Sequence, residues 1–161
     1  MTNTFQAPVA TVQMLIRKPV AQVFEAFADP SITSHFWFSR GSGLLAAGTR
    51  VRWDWEMYGF HIDVEVKELE QNKRILIEWN EPHPTLVEWI FDAKAGDQTF
   101  VQIKNWGFSG DEGKVVSEAI NSAGGFSFVL AAAKVFLEHG IEPNLIVDHD
   151  PDSVVAGWSS R

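Results

Sequence analysis

From Arg50 to Lys67 the chain alternates with a period of two. Val51, Trp53, Trp55 and Met57 alternate with Arg50, Arg52, Asp54 and Glu56, and Phe60, Ile62, Val64 and Val66 alternate with His61, Asp63, Glu65 and Lys67. Such alternation marks strands with one buried and one wet face. A two-residue turn at Tyr58-Gly59 pairs Met57 with Phe60, Trp55 with Ile62, Trp53 with Val64 and Val51 with Val66. A slip by one residue would set each apolar side chain opposite a charge, so the pattern predicts Trp53 and Trp55 facing inward and Arg52 and Asp54 facing solvent. Arg52 then stands opposite Glu65, with Arg50 and Asp63 as diagonal neighbours in a surface charge pairing.

The rest of the chain reads as further strands and helices. Val12, Met14 and Ile16 alternate with Gln13, Leu15 and Arg17 in a first strand. Pro19 suits the start of a helix, and Val20, Val23, Phe24 and Phe27 form one helical stripe. Asp29-Pro30 reads as a cap and first residue of a second short helix running through Ile32 to Trp37. Gly41, Gly43 and Gly48 interrupt the chain before the hairpin. Ile75, Ile77 and Trp79, then Val87, Trp89 and Phe91, then Val101, Ile103 and Asn105 mark three more strands, with turns at 81–84 and 95–97. From about Gly113 the period becomes helical: Phe126, Val129, Leu130, Ala133, Phe136 and Leu137 share a stripe that Gly140 ends. Either Ser109 with Glu112 or Asp111 caps that helix. This order predicts an α+β fold: a curved antiparallel sheet crossed by one long helix, with a gap that side chains fill or a ligand occupies. The expected division is a single domain over 1–140 and a tail over 141–161.

Composition narrows the function classes. The 161 residues suit one domain, 45% are hydrophobic, and the net charge is -8, which disfavours nucleic acid as a partner. There is no cysteine, so disulfides, thiolate catalysis and cysteine zinc sites are excluded, in keeping with a cytoplasmic protein. Met1 to Ala10 lacks the pattern of a signal peptide, and no continuous apolar run approaches the ~18 residues of a bilayer span, so membrane insertion is not expected.

Several strings resemble the activator of heat-shock protein 90 ATPase homologue family of the START-like (SRPBCC) superfamily. They are Val23-Phe24-Glu25-Ala26-Phe27-Ala28-Asp29-Pro30 with Phe36-Trp37-Phe38 after it, Glu78-Trp79-Asn80, Asn105-Trp106-Gly107-Phe108, and the stretch from Lys134 to Gly140. The resemblance spans roughly Val9 to Gly140 and implies a helix-grip fold enclosing an apolar cavity. It also implies a stress-response role, contact with the heat-shock ATPase, or an enzyme acting on a polyketide-like substrate, and leaves a homodimer open. This chain carries Asn105 where relatives often have histidine, and Gly124-Gly125-Phe126 where an aromatic residue is common.

The candidate ligand-binding residues are Trp53, Trp55, Trp79 and Trp89 on the sheet, Phe36 or Trp37 at the entrance, Asn105 on the inner face, and Phe126, Val129 and Leu130 on the helix. The indoles either build a core or line an apolar pocket. The Asn105 amide either orients a ligand or satisfies a backbone group at the strand end. Gly124-Gly125 reads as a close approach, a hinge, a kink or a break between two helices. His35, His61, His83, His139 and His149 are scattered without metal-ligand spacing. Asp148, Asp150 and Asp152 begin a calcium-loop pattern that Ser153 and Ser159 break. No metal or other cofactor is expected. Catalytic candidates reduce to Asn105, Glu78 and His35, with no nucleophile and base to join them.

The expected function is therefore non-enzymatic binding of a small hydrophobic, aromatic or lipid-like molecule. The alternatives are the polyketide-like enzyme and a co-chaperone of the heat-shock ATPase. Strong ATPase stimulation is not expected, since 161 residues leave no room for a second partner-binding domain.

Overall fold

A computed structural model describes residues 4–159, so the reading of Met1 to Ala10 lies partly outside the described residues. Strand β1 (Ala10–Ile16) leads into helices α1 (Val20–Ala28) and α2 (Pro30–Thr33). Strands β2 (Arg40–Gly41), β3 (Arg50–Trp55), β4 (Phe60–Glu70), β5 (Arg74–Trp79), β6 (Thr85–Lys94) and β7 (Gln98–Trp106) follow. Helix α3 (Glu112–His139) and the short α4 (Leu145–Asp148) complete the order. Among the described residues the strands form one seven-stranded antiparallel sheet in the order β1-β7-β6-β5-β4-β3-β2, and α3 packs on it along β1 and β7.

The α+β architecture matches the expectation, but the hairpin register does not. Residues Glu56–Tyr58 form a 3-10 turn closed by Gly59 at φ 60°, so Trp55 pairs with Phe60, Trp53 with Ile62 and Val51 with Val64. The loop takes up two more residues than a tight turn, and a shift of two preserves the facing of every side chain. Trp53 and Trp55 are accordingly buried. Phe60, displaced to the hairpin tip, is 53% exposed.

Asp54 departs from its expected solvent position and is only 8% exposed. It accepts from Arg52 Nε at 3.1 Å and Nη2 at 2.8 Å, and Arg40 Nε on the short β2 lies 3.7 Å away. The edge strand and two guanidinium groups cover it. Donation from Arg52 holds its carboxyl below the ordinary range despite the opposing effect of burial. Arg52 thus pairs within its own strand, while Arg50 reaches Asp63 at 3.2 Å.

α2 stops at Thr33, four residues short of the expected Trp37. Phe36, Trp37 and Phe38 are all buried, and three successive inward side chains cannot share one helical face. Its start is as expected: Asp29 Oδ1 accepts from the Ser31 N–H at 2.9 Å.

α3 is one continuous helix, so the glycine pair divides nothing. Asp111 caps it by accepting from the Lys114 N–H at 2.9 Å, and Gly140 ends it at φ 66°. At 28 residues with a mean hydropathy of 1.5 over its most apolar window, α3 is long and apolar enough to cross a membrane by length and composition, although no continuous apolar run spans it. Here its stripe of Phe126, Val129, Leu130 and Ala133 is buried against the sheet. Lys134 Nζ donates to the Leu15 carbonyl at 2.9 Å, and Glu138 accepts from both Lys134 and the Arg17 N–H.

The segment after Gly140 turns back onto the body. Leu145, Ile146, Val147 and Trp158 pack on the core, Tyr58 donates to the Ile146 carbonyl at 2.6 Å, and the Val155 N–H donates to the Met57 carbonyl at 2.8 Å.

Candidate functional site: a cavity between sheet and helix

The inner face of the sheet is half filled. Phe24 and Phe27 of α1 pack edge-on or tilted against Phe36, Phe91 and Trp89, with Phe24–Phe91 at 5.3 Å and Phe27–Phe36 at 5.4 Å between ring centroids. Beyond Trp89 the cover of α1 ends and a cavity of about 680 Å³ opens beneath α3. Trp55 of β3, Trp79 of β5 and Phe126 and Val129 of α3 give it apolar walls, and Trp37 lines it from the segment after α2. Tyr58 and Phe60 at the hairpin tip and Ile146 and His149 of the carboxy-terminal segment close one side.

Trp37 is the hub of this arrangement. Its ring lies 5.0 Å from Trp53, 5.9 Å from Trp55 and Trp89, 6.1 Å from Trp79 and 5.8 Å from Phe126. Phe126 stacks on Trp79 at 5.8 Å, joining the helix to the sheet across the cavity floor. Offset and edge-to-face contacts of this kind each contribute about 0.5–1.5 kcal/mol beyond burial.

Gly125 of α3 helps keep the volume open. A Cβ at Gly124 or Gly125 would meet no atom within 4 Å, so there is no close approach. Gly125 belongs to the cavity wall, where a larger side chain would project into free space.

One strip of the wall is polar. Asn105 Nδ2 donates to the Leu86 carbonyl at 2.8 Å and to Thr85 Oγ1 at 3.0 Å. Ser122 Oγ donates to Asn105 Oδ1 at 2.7 Å, and Trp79 Nε1 donates to Thr85 Oγ1 at 3.1 Å. Asn105 thus both satisfies a strand carbonyl and faces the cavity. It is 2% exposed, so these bonds hold a buried amide that would otherwise be destabilising.

Titratable groups also line the cavity: Tyr58, Glu81, His83, Lys114, Glu118 and His149. Lys114 and Glu118 form an ion pair at 3.7 Å. Burial pushes the Tyr58 phenol up, and Asp150 and Asp148 add to the effect. Among the described residues no three potential ligands converge as a metal site.

The structure brings together six of the ten sequence-derived candidates on this wall: Trp37, Trp55, Trp79, Asn105, Phe126 and Val129. Trp53, Trp89, Phe36 and Leu130 lie in the packed core, off the wall. Trp89 Nε1 is buried with no hydrogen-bond partner among the described residues, ringed by Phe27, Trp37 and Phe126. Of the other catalytic candidates, Glu78 faces Lys67 at 3.8 Å and His35 pairs with Glu142 while stacking on Phe136; neither lines the cavity.

Sequence reasoning missed Thr85 and Ser122, and singled out Gly125 only as part of a glycine pair read as a close approach, hinge or kink. Ser122 stands four residues before Phe126, a spacing that places both on one helical face. Ile146 and His149 had a fainter signal, the apolar triplet Leu145-Ile146-Val147 beyond the Gly140 stop.

The fold finds its counterpart in known proteins. Residues 17–131 match the model of the activator of Hsp90 ATPase homolog 1-like protein family. The chain belongs to that family. Among solved structures, SSP2350 from Staphylococcus saprophyticus is 25% identical with a TM-score of 0.73, covering 84% of this chain and 95% of that one. DynU16, from the dynemicin biosynthetic locus, is 22% identical with a TM-score of 0.73 over 83% of this chain and 48% of its own. The Aha1 protein of Colwellia psychrerythraea, solved as a dimer, is 17% identical with a TM-score of 0.71 over 83% and 98%. The last two likenesses are likenesses of fold. A comparison with curated protein sequences finds no match.

Proposed function

We propose that this family member is a binding module for a small hydrophobic, aromatic or lipid-like molecule, held between the sheet and α3 without chemical conversion. The observation that carries the reading is the cavity of about 680 Å³ with tryptophan and phenylalanine walls. That volume lies in the range of small-molecule sites, roughly 300–1,000 Å³. Burial of apolar ligand surface is worth about 25 cal/mol per Å2, so a few hundred Å2 supplies several kcal/mol before association costs. The polar groups of the Asn105 strip are amide, hydroxyl and indole, which bind and orient but do not exchange protons at neutral pH.

Native mass spectrometry of the purified protein, followed by tryptophan fluorescence titration with hydrophobic probes, tests this reading. The expected result is a saturable fluorescence change that Gly125→Leu abolishes and Arg52→Ala, on the outer face, leaves intact. No binding of any apolar probe would overturn it, and turnover of the bound molecule would favour the enzyme. A co-chaperone role rests on family membership, and the expected outcome of a heat-shock ATPase assay is no substantial stimulation; strong saturable stimulation would reverse that ranking.

A further inference from the structure

The hydrogen-bond directions in the polar strip are fixed, because the Leu86 carbonyl can only accept and the Trp79 indole N–H can only donate. The Leu86 carbonyl requires the Asn105 amide nitrogen to face it, so Oδ1 faces Ser122 and the Ser122 hydroxyl must donate to it. The second Asn105 N–H and the Trp79 indole N–H both end on Thr85 Oγ1. Two donors occupy the two lone pairs of that oxygen. Its own hydrogen is then left over, and no acceptor for it stands among the described residues. Thr85 is 5% exposed, and it lines the cavity. The strip therefore offers the cavity one donor, the Thr85 O–H, beside free lone pairs on Ser122 Oγ and Asn105 Oδ1.

We infer that Thr85, Asn105 and Ser122 form an anchor for a neutral hydroxyl group, an alcohol or phenol, on an otherwise apolar ligand. This assignment rests on the binding reading above and names its ligand class. A hydroxyl is the group that accepts and donates at one oxygen, so it satisfies the Thr85 hydrogen and a neighbouring lone pair together. A ketone or ether uses only Thr85. A carboxylate places negative charge against the Ser122 and Asn105 oxygens, and the cation on the wall, Lys114, is already paired with Glu118 at 3.7 Å. Leaving the Thr85 hydrogen unpaired under an apolar ligand is unfavourable, and this gives the anchor its selectivity.

The test is a titration with 2-naphthol, 2-methoxynaphthalene and 2-naphthoate, followed by tryptophan fluorescence. The wild-type protein is expected to bind 2-naphthol about tenfold more tightly than its methyl ether, and 2-naphthoate most weakly. Thr85→Val should weaken 2-naphthol and its methyl ether alike, each about tenfold, because both accept from the Thr85 O–H, and Thr85→Ser should restore both affinities. Ser122→Ala should reduce the preference about threefold and gives an independent readout if Thr85→Val fails to fold. Equal binding of naphthol and ether in the wild type would overturn the anchor and leave the binding module standing. Tightest binding of 2-naphthoate would overturn it in favour of recognition by Lys114. Failure of all three probes to bind would sink the anchor together with the binding reading.

Discussion

Under α1 the concave face of the sheet is full, with Phe24, Phe27, Phe36, Phe91 and Trp89 in mutual ring contact. Past Trp89, the same sheet carries Trp55 and Trp79 and the same kind of residue meets empty space. Both regions are strand aromatics facing inward, and their side-chain chemistry does not tell them apart. What differs is the layer above. Val23, Phe24 and Phe27 of α1 plug one half, whereas the part of α3 above the other half presents Ser122 and Gly125 beside the rings of Phe126 and Phe128. An aromatic wall becomes a cavity through what its opposing helix omits.

Truncations separate the halves most sharply. Trp53→Ala, in the packed region, should lose about 3–5 kcal/mol of unfolding free energy, while Trp55→Ala at the cavity should lose about 2 kcal/mol. Equal losses by urea denaturation would mean that the halves are equally packed. Asn105→Leu should come next, costing about 1–3 kcal/mol because it leaves buried partners unpaired. Gly124→Ala and Gly125→Ala should each stabilise α3 by about 1 kcal/mol, because neither Cβ meets a neighbour. Destabilisation at either position, read as a lowered Tm, would mean that the helix presses closer to the sheet there.

The smallest expected effect is on the outer surface and lies at acid pH. Arg52 donation lowers the Asp54 carboxyl against the effect of burial. Burial alone would raise Glu138, but Lys134, the Arg17 N–H and nearby positive charge together lower it. A folded value below the unfolded one stabilises fully above the ordinary carboxylate range and is lost as pH falls through the folded value. Asp54→Asn and Glu138→Gln should therefore flatten the acid limb of a stability-versus-pH curve and leave ligand binding at neutral pH unchanged. An unaltered acid limb in both variants would show that neither pair couples to folding.

Much of the fold was legible in the sequence because periodicity reports facing. The 2-residue alternation from Val51 to Val66 placed Trp53 and Trp55 inward even though the turn, and hence the register, was misread. A shift of two changes partners without changing faces, so facing survives where pairing does not. The site was legible only in part. Periodicity says that Trp53 and Trp55 both point inward, but it cannot say that Trp53 lies stacked against Phe38 at 4.8 Å while Trp55 reaches open space. That depends on α2 ending early enough to deliver Trp37 and Phe38 into the interior. Thr85 gave no pattern at all, since its role comes from two donors that converge on it from the strands on either side, Trp79 of β5 and Asn105 of β7.

The chain has seven tryptophans, and five of them touch through Trp37. Indoles at these separations share their excitations, so the cluster behaves optically as one coupled chromophore. Its circular dichroism should carry an exciton couplet superimposed on the backbone signal, and that couplet should weaken when Trp37 is replaced, leaving the contribution of Trp53 and Trp79 at 6.3 Å. Helix content read from the far-ultraviolet spectrum would then be biased by the arrangement of five rings, and a change in that spectrum on adding a ligand need not signal any change in the backbone.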